Sequence, residues 1–423
     1  MQDKYYDFTS SIVIGIVLII LGNILLVGNT YIYKNIVSIF LFVMWLKVIK
    51  QVISVFLKKE ENNNITFSSC LLNLIICLIL SILPNIAIGI VPFIFSIYLI
   101  VIGIIQLIMF LLSIKNKTYL ELKRLLVGLI YLTISLPILI SPVQKLHIFI
   151  ICFSIYMILL GLSYTYTAIT GIIPIRTKNK IKRRIKITLP KLIEAVIPYV
   201  VMQEINKSLE VQNNYNYSYL KKDKTPDINI LIHTSINGFN RMGHIDIYYN
   251  NQVISYGNYN EGSRIGGQLF GDGIIFTTEK KKEYINFCID NSKKTIFDFG
   301  LVLTEKQKEQ VSLKIEKLLS NTTTWDHTTD KNYNNGNSYA GKLYKKTKSN
   351  FYKIKKGKYK TYFVIGTNCC FLADEIIGSF GMDILSINGI ITPGTYYDHL
   401  NRLFNQKNSN VISKEIYNYD RRA

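Results

Sequence analysis

The pattern of apolar and polar positions divides the chain in two. Apolar runs near 11–28, 35–57, 68–84, 86–113, 124–141 and 146–174 carry almost no charge. Each is close to the ~20 residues a helix needs to cross hydrocarbon. Beyond residue 226 the apolar runs shorten, and they alternate with polar positions or recur at helical spacing. The pattern predicts an N-terminal all-α membrane domain over 1–175, a connector over 176–225 and a C-terminal α+β domain over 226–423. A soluble helical bundle is disfavoured by the scarcity of charge inside the runs. A signal peptide over Ser11–Gly28 would lack a basic leader, and further spans follow it.

The membrane part repeats. Phe42-Val-Met-Trp45-Leu46, Phe95-Ser-Ile-Tyr98-Leu99 and Phe153-Ser-Ile-Tyr156-Met157 are three copies of one motif. Gly103 and Gly161 follow their tyrosines by the same five positions, where the first copy has Lys50. Each copy reads as a helical hairpin, and three hairpins make the domain. Over about 10–175 this pattern resembles the HdeD-type acid-resistance membrane family of bacteria, which implies a bacterial cell membrane. Small residues that let helices approach in lipid also account for the glycines. Lys47 and Lys50 lie within a span, as a polar pathway or, in the favoured reading, as snorkelling groups near its end. Among the spans there is no Asp or Glu for a proton relay, which argues against a transporter.

Lysine and arginine set the orientation. Lys4, Lys58, Lys59, Lys115, Lys117, Lys123, Arg124 and the run Arg176–Lys186 fall on one side if every span crosses; Lys34 and Lys145 fall on the other. The positive-inside rule puts the first side, and the C-terminal domain, in the cytoplasm. The basic run also suits anionic lipid head groups. Two short helices broken at Pro198 are expected over 189–209, and a loop over Gln212–Thr225.

In the C-terminal domain a strand is expected over Asp227–Ser235. A hairpin follows, its strands opened by His244 and Val253 around Asn250-Asn251-Gln252. Ile274–Thr277 reads as a strand, and Lys280–Asp290 and Thr304–Leu319 as helices. Ser320–Lys348 reads as a polar excursion, and Tyr359–Ile365 as a strand. A Pro393-Gly394 turn is expected before a last helix through Leu400 and Leu403.

The chemistry concentrates at Gly366-Thr-Asn368-Cys369-Cys370-Phe-Leu372-Ala-Asp-Glu375-Ile376. Strand, glycine turn and amphipathic helix place a cysteine at a helix N-terminus, where free N–H groups and the dipole favour a thiolate. Two small apolar residues packing a helix start are the plain alternative. His244 opens a strand behind Gly243, where an imidazole can face a cleft. Histidine first, then Asn-Cys-x-x-(aliphatic)-Ala-x-Glu entering a helix, resembles the circularly permuted NlpC-type papain-like hydrolases over about Asp227–Leu403. Bacterial amidases, lecithin retinol acyltransferase-like enzymes and deubiquitinase-like peptidases share that order. The resemblance implies Cys369 rather than Cys370 as nucleophile, and His244 as base. The orienting third group is open among Asp246, Asn258 and His233. The Cys369 N–H is a candidate oxyanion donor.

Composition narrows this further. The net charge of +21 accompanies an abundance of Asn, Ile, Lys and Tyr throughout and no nucleic-acid-binding motif, so no nucleic-acid partner is expected. Six cysteines without a pairing framework fit a reducing compartment. Zinc on Cys369, Cys370, His244 and His233 is disfavoured because adjacent cysteines make poor tetrahedral ligands. Gly262–Gly273 lacks the Lys-Ser/Thr ending of a phosphate loop. No cofactor is expected. The expected activity is cleavage or transfer at an amide, ester or thioester of a peptide or acyl substrate at the lipid bilayer. The alternative is a non-catalytic sensor or scaffold with a degenerate papain-like binding domain.

Overall fold

The computed structural model describes residues 3–56, 67–119, 121–172, 185–186, 216–220, 224–235, 243–292, 294–330, 336, 338–377, 385–386, 393–405 and 409–417. The helices expected over 189–209, Lys58, Lys59 and most of the basic run lie outside these residues. The chain forms two compact units. One comprises Val13–Leu107 and Leu125–Thr165; the other comprises Met1–Ile12, Ile108–Arg124 and Tyr166–Ala423.

Five helical runs build the N-terminal region: α1 Asp3–Phe56, α2 Phe67–Ile82, α3 Pro84–Lys115, α4 Leu122–Ile140 and α5 Leu146–Ile172. The first two expected spans are continuous in α1 and break only at Asn29, whose φ of 47° and ψ of −140° leave the helix. Ile12–Ser54, Pro84–Lys115 and Leu122–Ile140 are long and apolar enough to cross a membrane; Ser68–Ile82 and Leu146–Leu162 are shorter apolar helices. They mark a membrane-embedded N-terminal region.

The first unit closes on itself through small residues. A methyl at Gly15 in α1 would stand 2.8 Å from the Gly161 carbonyl in α5. One at Gly128 in α4 would stand 3.1 Å from the Gly103 carbonyl in α3. The second arm of α1 meets α2 where Asn73 Nδ2 donates to Gln51 Oε1 at 3.0 Å. These contacts join α1 to α2, α3 to α4 and α5 to α1. Phe95, Phe149 and Phe153 pack edge-on or stacked between them, and Tyr33 donates its hydroxyl to the Ile88 carbonyl at 3.0 Å. Lys47 and Lys50 are exposed on the helix surface.

The other unit holds an α+β fold. Its strands are β1 Ile185–Lys186, β2 Asn216–Leu220, β3 Ile228–Ser235, β4 His244–Tyr249, β5 Gln252–Gly257, β6 Phe270–Asp272 and β7 Ile274–Thr278. Then come β8 Lys294–Leu301, β9 Thr322–Thr324, β10 Asn350–Ile354, β11 Thr361–Phe363, β12 Leu385–Ser386 and β13 Val411–Tyr417. Nine of them form a sheet in the order β2-β13-β8-β3-β4-β5-β7-β10-β9, paired antiparallel throughout. Helices α6 Lys281–Ser292, α7 Glu305–Ser320, α8 Tyr339–Thr347, α9 Cys369–Ile377 and α10 Pro393–Asn405 cover its two faces. Period-2 alternation decides which side chain goes where. Ile230, Ile232, Ile245, Ile247 and Phe297 face α7, α9 and α10, whereas Leu231, Val253, Phe276 and Ile296 face α6 and α8.

Several expectations are corrected here. Gln212–Thr225 contains β2, an edge strand paired with β13. Ser320–Lys348 is no bare excursion, since it holds β9, a 3-10 turn and α8, capped by the Ser338 hydroxyl. Pro393 and Gly394 begin α10 instead of turning before it, in keeping with the fixed φ of proline at a first helical position. The strand expected over Tyr359–Ile365 shrinks to β11, and the rest folds into turns. The hairpin is as read, with Asn250 and Asn251 both at positive φ in a two-residue connection.

Candidate functional site

Cys369 is the first residue of α9. Asn368 caps the helix, its Oδ1 accepting from the Phe371 N–H at 3.0 Å while its Nδ2 donates to the Val364 carbonyl at 2.8 Å. The sulfur therefore lies in the first turn, where N–H groups precede the intrahelical ladder. His244 is the first residue of β4 and follows Gly243, whose φ of +78° admits no side chain beside the His233 carbonyl. Standing at the end of the sheet, the imidazole is not confined to one face. It reaches Asp246 and Ser255 on the α6 face and is electrostatically coupled to Cys369, which starts a helix on the other.

The charges follow from these contacts. Burial alone would raise the Cys369 thiol, but the Cys370 thiol, the His244 cation and the Ile245 N–H outweigh it and hold Cys369 well below 9.0. Burial likewise opposes an imidazolium at His244, and the Cys369 thiolate and Asp246 overcome it, pushing His244 up to about 10. The surroundings of the two groups thus favour a thiolate facing an imidazolium. Cys370, completely buried, is pushed the other way by its burial and by its thiolate neighbour, to which it donates. Of the two adjacent cysteines, Cys369 is the one whose surroundings favour a thiolate.

Asp246 organises the far side of the ring. Its Oδ1 lies 2.8 Å from His244 Nε2 in ion-pair contact, off the line of a hydrogen bond, while the Ser255 hydroxyl is the aligned partner of Nε2 at 2.9 Å. Oδ2 accepts from the Tyr284 hydroxyl at 2.6 Å and lies 2.7 Å from His233 Nε2. Burial would raise this carboxyl, but His244 and His233 hold it well below 3.8. His233 is buried too, and desolvation lowers it against the pull of Asp246, so it stays neutral. Tyr259 bonds Ser255 at 2.5 Å and stands 3.3 Å from His244 Nε2.

Of the predicted site residues, Cys369, His244 and Asp246 come together, with His233 behind the carboxylate. Asn258 does not join them: its Nδ2 is engaged by the Gln268 carbonyl at 3.0 Å, although it lines the same cleft. The sequence reading missed Ser255, Tyr259 and Tyr284. Ser255 lies directly across β4–β5 from Asp246, a register that the hairpin turn already specified. The cleft, about 280 Å³, opens beside His244 and is walled by Tyr259, Tyr339 and Tyr362, with Arg264 and Lys294 at its edges. Among the described residues no cluster of metal ligands is found.

Such a thiolate beside a protonated imidazole can attack an electron-poor carbon and return a proton to what leaves. Compared with protein-family models, with characterised proteins and with solved structures, the chain matches none.

Proposed function

We propose that this chain is a membrane-bound thiol hydrolase or acyltransferase with a permuted papain-like lobe. Cys369 is its nucleophile, His244 its general acid and base, and Asp246 the group that orients the imidazole. The helix that Cys369 begins packs on the His244 strand, and the electrostatic pairing of the two groups, backed by a buried carboxylate, carries the reading. An imidazole strand that precedes the thiol helix supports the permuted order.

In the reaction the Cys369 sulfur forms a bond to the acyl carbon of an amide, ester or thioester. The bond to the leaving group breaks, and that group takes the His244 proton. A water or an acceptor nucleophile then gives its proton to His244, attacks the thioester and frees the sulfur. The Cys369 N–H, ahead of the helix ladder, suits the oxyanion.

Sidedness rests on charge. The loop with Lys115, Lys117, Lys123 and Arg124 belongs to the same unit as the lobe, which supports one compartment for both. The positive-inside rule makes it the cytoplasm. The basic run Arg176–Lys186 then faces the anionic inner leaflet.

One observation favours the second reading, a lobe that binds without turnover. Cys369 is only 4% exposed, and His244 rather than the sulfur lines the cleft. Alkylation of the full-length protein in detergent at pH 7, with the modified residue mapped, decides between them. Faster reaction at Cys369 than at Cys288 is expected; equal or slower reaction overturns the thiol enzyme.

A further inference from the structure

The turns before the nucleophile are held from a distant part of the chain. Helix α3 ends in a closed cap: the Thr118 N–H reaches the Ser113 carbonyl, the Lys117 N–H reaches the Ile114 carbonyl, both at 3.0 Å, and Lys117 takes φ 52°. This double bond pattern around a left-handed residue fixes the cap residue, Asn116, in one orientation. Asn116 is 2% exposed. Its Oδ1 accepts from the Thr361 hydroxyl at 2.8 Å, and its carbonyl accepts from the Gly357 N–H at 3.4 Å. About two turns back along α3, Met109 packs against Gly366 so closely that a methyl there would overlap its sulfur. All of these residues belong to one unit.

What they hold leads directly to the thiol. The Thr361 carbonyl accepts from the Thr367 hydroxyl at 2.8 Å, the Phe363 N–H reaches the Thr367 carbonyl at 3.2 Å, and Asn368 then caps α9. Residues 361–368 thus form a knot of local bonds with one end on Asn116 and the other on the nucleophile. Lys358 over the Phe371 ring at 3.6 Å and Tyr359 bonded to Glu375 at 2.5 Å tie the same turns to the body of α9.

We propose that Asn116 is a positioning residue for the thiol. By anchoring Thr361 and Gly357 it sets where α9 begins, and hence whether the Cys369 sulfur meets His244 and the Ile245 N–H. The inference rests on the reading of Cys369 as nucleophile and extends the working site to the cap of α3. Since the contact joins a carboxamide to a hydroxyl, its effect must depend on both.

The test is alkylation of Cys369 against pH in the full-length protein. Asn116→Ala and Thr361→Val are each expected to slow it about fivefold, the worth of one neutral hydrogen bond read as a rate ratio, and to move its midpoint toward higher pH. The double variant is expected to be no slower than either single one. Asn116→Asp keeps an acceptor for Thr361 and is expected to restore the wild-type midpoint, which separates lost positioning from failed folding. A wild-type midpoint in Asn116→Ala, or additive losses in the double variant, overturns the assignment and leaves the thiol reading standing. Wild-type protein that does not react preferentially at Cys369 overturns both.

Discussion

Asp246 follows His244 by two residues on one strand, and its carboxylate lies 2.8 Å from the imidazole it follows. Alternate residues of a strand share a face, so the imidazole and the carboxylate are placed by a single element. The carboxylate is fully enclosed, with His233 and Tyr284 on its other oxygen. Removing it by Asp246→Ala would take away one of the two negative groups that face His244 and leave the buried Tyr284 hydroxyl without its acceptor. The expected loss is about 3–5 kcal/mol of stability, as for other broken buried pairs, measured by denaturant unfolding of the purified protein. A loss within 1 kcal/mol, about the worth of an exposed pair, would show that the carboxylate does not carry the charge balance.

His244→Ala tests the pair from the other side. Without the imidazolium the Cys369 thiol loses one of the groups that hold it down and moves upward under its burial, so less of it is thiolate at neutral pH. Alkylation of Cys369 at pH 7 should fall by roughly an order of magnitude or more, while Cys370→Ala should leave it measurable. The opposite pattern would move the chemistry to Cys370.

The pH dependence has two limbs. Alkylation at Cys369 should rise to its plateau well below 9.0, whereas Cys288, whose buried thiol is pushed up to about 11, should begin to react only in strong alkali. Stability follows the same groups. His244, raised from 6.5 to about 10, contributes in full below pH 6.5, and its contribution is lost as pH climbs through 10. Asp246, held below 3.8, contributes above that value and loses its share as pH falls through its native value. A melting temperature highest between these limits is expected; a monotonic rise toward alkali would contradict the charged pair.

Much of this site was legible because local chemistry announces it. Asn368 before Cys369 marks a helix start, and two asparagines at positive φ close the His244 hairpin. What the reading missed depends on tertiary neutralisation. Strand β8 is given no element in the sequence reading, yet it lies inside the sheet, where its Asp298 is met by Asn229 and Lys281, each at 2.7 Å. Strand β13 carries Lys414, whose ammonium lies over the Phe299 and Tyr397 rings. Ser255 and Tyr259 are ordinary strand and loop residues until the register puts them against the imidazole. Asn258, the more polar neighbour, drew the assignment and turns instead to the Gln268 carbonyl.

The helical unit gives a prediction of its own. At Gly15 a side chain would meet Thr165 at 2.7 Å and the Gly161 carbonyl at 2.8 Å, and a backbone oxygen cannot step aside. Gly15→Val should cost about 1–3 kcal/mol through overpacking, seen as a lower melting temperature in detergent by fluorescence-detected size exclusion. Gly89→Ala is the control, since its nearest neighbours would stand at 3.5 Å. Equal melting of the two variants would mean that the α1–α5 contact is not close-packed in solution.

That contact also joins the last helix of the unit to the first. An open array of stacked helices needs specialised end members to shield its outermost faces, and it can gain or lose a member by lengthening or shortening. Where the last helix packs on the first, neither is left as an end. Removing a helix pair would then expose two surfaces at once, so the helices of this unit are expected to melt together.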